Sequence, residues 1–155
     1  LAALFPSPST RELLPAAGEV TAPSLIVAAA DQIDSLTGNA LALANALGGD
    51  VVLRTLAGAD SKGLLERRSV KSLIGINGAD KAVHAAVRAQ LTGYFRYTLE
   101  GDEGYAAFGD PAATMAGALA VDLATARPAD ADHLAQLFGV KPFTEDKKKR
   151  VPIGR

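Results

Sequence analysis

Apolar residues along this chain fall into short continuous runs separated by helically spaced stretches, an order that predicts an α/β domain. Ser24 to Ala30 reads Ser-Leu-Ile-Val-Ala-Ala-Ala directly after Pro23, the pattern of a strand buried on both faces. Asp31, Asp34 and Ser35 offer N-cap oxygens for a helix, whose apolar positions Leu36, Ala40, Leu43, Ala44 and Leu47 recur at helical spacing. Gly48-Gly49 reads as its left-handed stop. Asp50 to Leu56 predicts a second strand, and Val70 to Ile76 a third. Between them Ala57 to Arg68 is glycine-bearing and polar, with one helical turn at Lys62 to Arg67.

Asp80 is the expected cap of a second main helix, with Ala82, Val83, Ala86, Val87 and Leu91 as its apolar stripe. Gly93 is its expected end. Tyr94 to Leu99 then alternates as a strand, residues 100–104 turn, and Tyr105 to Phe108 continues a hairpin. Gly109-Asp110-Pro111 breaks the chain, and the alternation of Leu119, Val121 and Leu123 within Met115 to Ala126 predicts a closing strand. Pro128 and Asp130 open a short helix carrying Leu134, Leu137 and Phe138, stopped by Gly139. The sum is a single mixed sheet of four to five strands with two main helices on one face.

The ends differ from this body. Pro6, Pro8, Pro15 and Pro23 lie within residues 1–23, a density that argues for an extended arm with at most one turn at Thr10 to Leu14. Residues 24–140 form the α/β domain and residues 141–155 a basic tail. Six positive residues in that tail (Lys141, Lys147, Lys148, Lys149, Arg150, Arg155) face two negative ones (Glu145, Asp146), giving +4; the ten positive and fifteen negative residues elsewhere give −5. An acidic body disfavours nucleic acid over most of its surface. The tail run Lys147, Lys148, Lys149 and Arg150 is the segment suited to an acidic partner.

At 155 residues, 48% hydrophobic and 21% charged, the chain has the length and composition of one folded domain. No apolar run approaches the ~18 residues of a membrane span. The absence of cysteine removes disulfides, thiolate metal sites and cysteine nucleophiles, and suits a reducing, intracellular compartment. A chain starting at Leu1 is expected either of an organellar protein after removal of a targeting peptide or of a longer chain cut at an arbitrary point.

Chemistry concentrates in one loop. Ser72 to Val83 reads Ser-Leu-Ile-Gly-Ile-Asn-Gly-Ala-Asp-Lys-Ala-Val, a strand passing through glycines into a helix, where bare backbone N–H groups can approach an anion. Gly75, Asn77, Gly78 and Lys81 are its candidate anion- or nucleic-acid-binding residues, with Lys62, Arg67, Arg68 and Lys71 as the nearest basic cluster. As architecture, the same loop is a strand-to-helix turn capped by Asp80. His84 and His133, the two histidines, lack partners at ligand spacing, so no metal is expected. The carboxylate pairs Asp31/Asp34 and Asp102/Glu103 are explained by capping and turns. No hydrolase, Walker or zincin motif is present, and no cofactor or catalytic residue is expected.

The order strand, helix, strand, glycine loop, helix, strand, strand resembles the Alba-like fold, and within it the stage V sporulation protein S family. The resemblance is carried by Leu25 to Ala30 with Ser35 to Leu47, by Val70 to Ala89, and by the hairpin and closing strand between Tyr94 and Ala126. It covers about the middle two-thirds of the chain and implies a dimeric nucleic-acid-binding module. Gly75-Ile76-Asn77-Gly78 also looks like the Gly-x-x-Gly loop of K-homology RNA-binding domains. Asp31 and Asp34, where Alba-type binders carry basic residues, repel phosphate. The leading expectation is therefore a small non-catalytic accessory subunit of a larger assembly, holding protein partners through arm and tail. A nucleic-acid module binding RNA or DNA comes second, and an enzyme or binder acting on a phosphorylated small molecule at the Gly75–Gly78 loop third.

Overall fold

The computed structural model describes residues 1–6, 13–33, 39–59 and 78–126, with 78–80 as backbone alone. They form a mixed α/β domain on a single four-stranded sheet. Its elements are β1 (Ala2–Leu4), α1 (Leu13–Gly18), β2 (Ser24–Ala29), α2 (Ala40–Ala46), β3 (Val51–Leu56), α3 (Gly78–Glu100), α4 (Ala106–Gly109) and β4 (Ala118–Ala120), with 3-10 turns at Ala30–Gln32 and Glu103–Tyr105. The strand order is β1-β2-β3-β4. β1, β2 and β3 run parallel, and β4 is antiparallel to β3.

β2 fulfils its sequence pattern, since all six of its residues are fully buried. Alternate side chains enter two different cores. Leu25, Val27 and Ala29 join Val52 and Leu56 beneath Val83, Val87 and Tyr94 of α3, whereas Ile26 and Ala28 join Leu53 beneath Ala40, Leu41 and Ala44 of α2. The two main helices therefore cover opposite faces of the sheet, not one face as expected. Parallel strands carrying apolar residues in both directions require covering layers on both sides.

The proline-bearing N-terminal segment is not simply an extended arm. Ala2, Ala3 and Leu4 pair with Leu25, Ile26 and Val27 as an edge strand. Pro15 lies in the first turn of α1, where a missing N–H breaks no intrahelical bond. Leu14 and Ala17 of α1 pack on Ala46 of α2.

The expected hairpin at Tyr94 to Phe108 is replaced by helix. α3 runs unbroken through Gly93 to Glu100, supported by Thr98 Oγ1 donating to the Tyr94 carbonyl at 2.8 Å and an Arg96–Glu100 ion pair at 3.3 Å. Gly93 is a packing residue: a Cβ there would strike the ring of Phe108, which follows in α4. The helix stops at Gly101, whose φ is +69°. Its N–H reaches the Tyr97 carbonyl at 3.1 Å, the 5→1 bond of a helix end with a left-handed glycine, and the N–H of Asp102 reaches back to the Arg96 carbonyl at 3.1 Å. Asp102 joins this end twice, accepting from Gly104 N at 3.0 Å and pairing with Arg96 at 2.9 Å.

The closing strand is present but short, with β4 spanning Ala118–Ala120 and pairing with Leu56 to Arg54 of β3. The predicted strand at Val70 to Ile76, the turn at Lys62 to Arg67 and the helix after Pro128 lie outside the described residues.

Candidate functional site

Strand direction identifies the end of the sheet where a site is built. In open α/β sheets, ligands enter crevices beyond the carboxyl ends of neighbouring strands whose following segments leave toward opposite faces. At that end of β2 and β3, α2, which follows β2, covers one face of the sheet, and α3, the next described element after residue 59, covers the other. α3 is also oriented suitably. Its Val83 lies in the core containing Ala29, Leu56 and Ala59 at the carboxyl side, while Tyr94 is close enough to Asp50, at the amino end of β3, to feel its charge.

Two buried amides lie between β2 and α2, each with an atom that lacks a partner among the described residues. Gln32, in the 3-10 turn that continues β2, is 8% exposed, and its Oε1 has no hydrogen-bond partner among the described residues. Asn39 is 1% exposed. Its Oδ1 caps α2 by accepting from Ala42 N at 2.6 Å, which fixes the amide orientation and leaves the buried Nδ2 without a partner among the described residues. The Leu41 N–H donates to the Ile33 carbonyl at 2.9 Å, which ties the chain beside Gln32 to the first turn of α2. Such unpaired groups are rare in folded proteins, and each calls for a physical account.

Two further features lie toward the same edge. His84, half-buried in the N-terminal part of α3, has an enclosed Nε2 with no partner among the described residues. Phe5, directly after β1, has a φ of +47° and donates its N–H to the Val27 carbonyl at 2.7 Å. A left-handed phenylalanine is strained, and such strain clusters at functional positions.

The sequence-predicted site is only partly placed. Gly78 is the first residue of α3, and Lys81 is exposed one turn along it. Asp80 therefore lies within the first turn. Gly75, Asn77, Lys62, Arg67, Arg68, Lys71, His133 and the tail run Lys147, Lys148, Lys149 and Arg150 lie outside the described residues. Sequence reasoning passed over Gln32 and Asn39, whose distinguishing property is burial without a partner. Among the described residues there is no cluster of three or more His, Cys, Asp or Glu able to hold a metal, and no helix long and apolar enough to cross a membrane.

The opposite end of the domain carries a titrating group. Burial raises the Tyr94 phenol above its ordinary pKa of 10.0, and the Asp50 carboxylate raises it further. Below pH 10 the phenol is neutral both folded and unfolded. Above it the unfolded chain releases a proton that the folded chain retains, so stability falls as pH rises through the folded value. The expected result is a steeper alkaline loss of melting temperature in the parent than in Tyr94→Phe between about pH 9 and 11; parallel curves would remove this role.

Comparison with protein-family models, with curated proteins and with solved structures finds no match.

Proposed function

We propose that this chain is a ligand-binding α/β domain that takes a small polar molecule at the carboxyl ends of β2 and β3. The observation that carries this reading is the pair of buried, unpartnered amide atoms, Gln32 Oε1 and Asn39 Nδ2. One accepts and the other donates, so together they suit a neutral group presenting a donor beside an acceptor, as a carboxamide or a nucleobase edge does. Both atoms are enclosed in the free protein, so the site must open to admit the ligand. Leaving a buried amide unpaired costs about 1–3 kcal/mol, and a ligand that satisfies it recovers that cost on binding.

A thermal-shift series with nicotinamide and the common nucleosides tests this. At least one probe is expected to raise the melting temperature of the parent, and Gln32→Met and Asn39→Ser to abolish the response. Met keeps the length of the Gln side chain; Ser retains a capping oxygen for α2. Without ligand, Gln32→Met is expected to melt at or above the parent temperature, because it removes an unpaired polar atom. A flat response to every probe, with Gln32→Met less stable than the parent, would sink the proposal.

A second reading, a non-catalytic accessory subunit of a larger assembly, is supported by apolar residues exposed on α3, where Leu99 is 78% and Phe95 37% exposed. Its test is the mass of the native particle, which on this reading exceeds that of any homo-oligomer of the purified chain.

A further inference from the structure

One flank of α3 carries two kinds of side chain in succession. At 3.6 residues per turn, Lys81, Arg88, Thr92, Phe95 and Leu99 fall within about 60° of arc, and all five are exposed. They make a strip about 27 Å long beside the buried row of Val83, Val87, Gln90 and Tyr94. The strip is basic in its N-terminal half and apolar in its C-terminal half. Neither Lys81 nor Arg88 has an acidic residue three or four positions away on the helix, the spacing at which an ion pair would form. Arg96 differs. It is tied to Glu100 at 3.3 Å and to Asp102 at 2.9 Å, and lies 4.9 Å from the centre of the Tyr105 ring, so these ion pairs border the strip beyond Thr92 and do not cross it.

We propose that this strip docks an amphipathic helix of another protein, one whose contacting face carries carboxylates over Lys81 and Arg88 and leucine-type side chains over Phe95 and Leu99. The surface rests on the accessory-subunit reading and supplies the chemistry of its partner. Positions three, four and seven apart form a straight ridge, and a second helix packs along the grooves that flank it. Two cations with no carboxylate beside them repel a basic partner and attract an acidic one, while burial of Phe95 and Leu99 supplies the affinity that exposed charge does not. The division of the strip also sets register. A partner displaced by two turns would lay leucines over Arg88 or carboxylates over Phe95. A single helix on this strip falls at the small end of specific interfaces, so a dissociation constant of about 10 to 100 µM is expected.

Fluorescence anisotropy of the full chain with stapled, alanine-based helical peptides of about 18 residues tests this. One pair of peptides carries glutamates in one half of a face and leucines in the other, in the two possible chain directions; a second pair carries lysines in place of the glutamates. At least one glutamate peptide is expected to bind about tenfold more tightly than either lysine peptide at low salt. Lys81→Glu combined with Arg88→Glu should reverse that order. Leu99→Gln should weaken the glutamate peptide about fivefold with circular dichroism and melting temperature unchanged, because Leu99 is exposed. Failure of every peptide to bind overturns the proposal. So does equal binding of glutamate and lysine peptides, indifference to Leu99→Gln, or phosphatidylserine vesicles bound in preference to every peptide. If any of these accompanies a native particle heavier than any homo-oligomer, this surface falls and the accessory-subunit reading stands.

Discussion

Arg54→Ala is expected to lower the unfolding free energy by about 4 kcal/mol, the largest loss for any single side chain considered. Arg54 is fully buried in β3. Its Nη1 donates to the Pro111 carbonyl at 3.1 Å, and its Nη2 to the carbonyls of Asp110 at 2.5 Å and Ala107 at 3.4 Å. The guanidinium thus holds α4 and the segment after it against the sheet. Burial lowers its pKa from the ordinary value and the Asp110 carboxylate opposes that shift; arginine keeps its charge in proteins, and here the three carbonyls surround its two Nη atoms. Truncation leaves a cavity and releases three carbonyls at once. Arg54→Lys cannot span the same acceptors with one ammonium and is expected to lose about 2 kcal/mol. Arg54→Met keeps the stem and removes a charge that is itself costly to bury, so its loss should be less than half that of alanine. Urea midpoints with unchanged slope measure these differences, and faster amide exchange over residues 106–113 locates them. A loss below about 1 kcal/mol for Arg54→Ala would show that packing, not the guanidinium, holds this strap.

A charged residue inside an otherwise apolar strand was visible in Asp-Val-Val-Leu-Arg-Thr-Leu, yet the carbonyls that receive it lie more than fifty positions away. The strands themselves were legible because a run such as Leu25 to Ala29 has few other homes. That same run implied helices on both faces, and the placement of both on one side neglected what continuous burial requires. Glycine misled in another way. Gly93 and Gly101 are the same letter, but one makes room for the Phe108 ring inside a helix and the other turns left-handed at its end. Local pattern cannot separate these uses, since the difference lies in a distant neighbour. The candidate site was the least legible part. Asn39 is readable as a cap, but its buried Nδ2 and the enclosed Gln32 Oε1 become visible only once the surrounding chain is in place.

Gly49→Ala is expected to cost about 3 kcal/mol, at the upper end of overpacking losses, for a reason that differs from the stop signal read in Gly48-Gly49. Neither residue has a positive φ. α2 ends instead with Leu47 in an extended conformation, and the two glycines lie against the backbone that leads into β2. A Cβ on Gly49 would come within 2.7 Å of the Thr21 carbonyl carbon and 2.9 Å of the Ala22 oxygen. Backbone cannot rotate away as a side chain can. The obstructed segment is also pinned, by Gly48 N donating to Val20 O at 3.0 Å and Ser24 N to Asp50 O at 2.8 Å. Gly58 provides the contrast, with a φ of +72° and nothing within 4 Å of an added Cβ; Gly58→Ala should cost only the left-handed conformational penalty of about 1 kcal/mol. Asparagine separates the two mechanisms, because it tolerates the left-handed region but still carries a Cβ. Gly58→Asn is expected to recover most of the alanine loss, whereas Gly49→Asn should be no better than Gly49→Ala in urea unfolding. Recovery at Gly49 would return that position to the role of a left-handed stop and remove the close approach of α2 to the segment before β2 as the reason for its glycines.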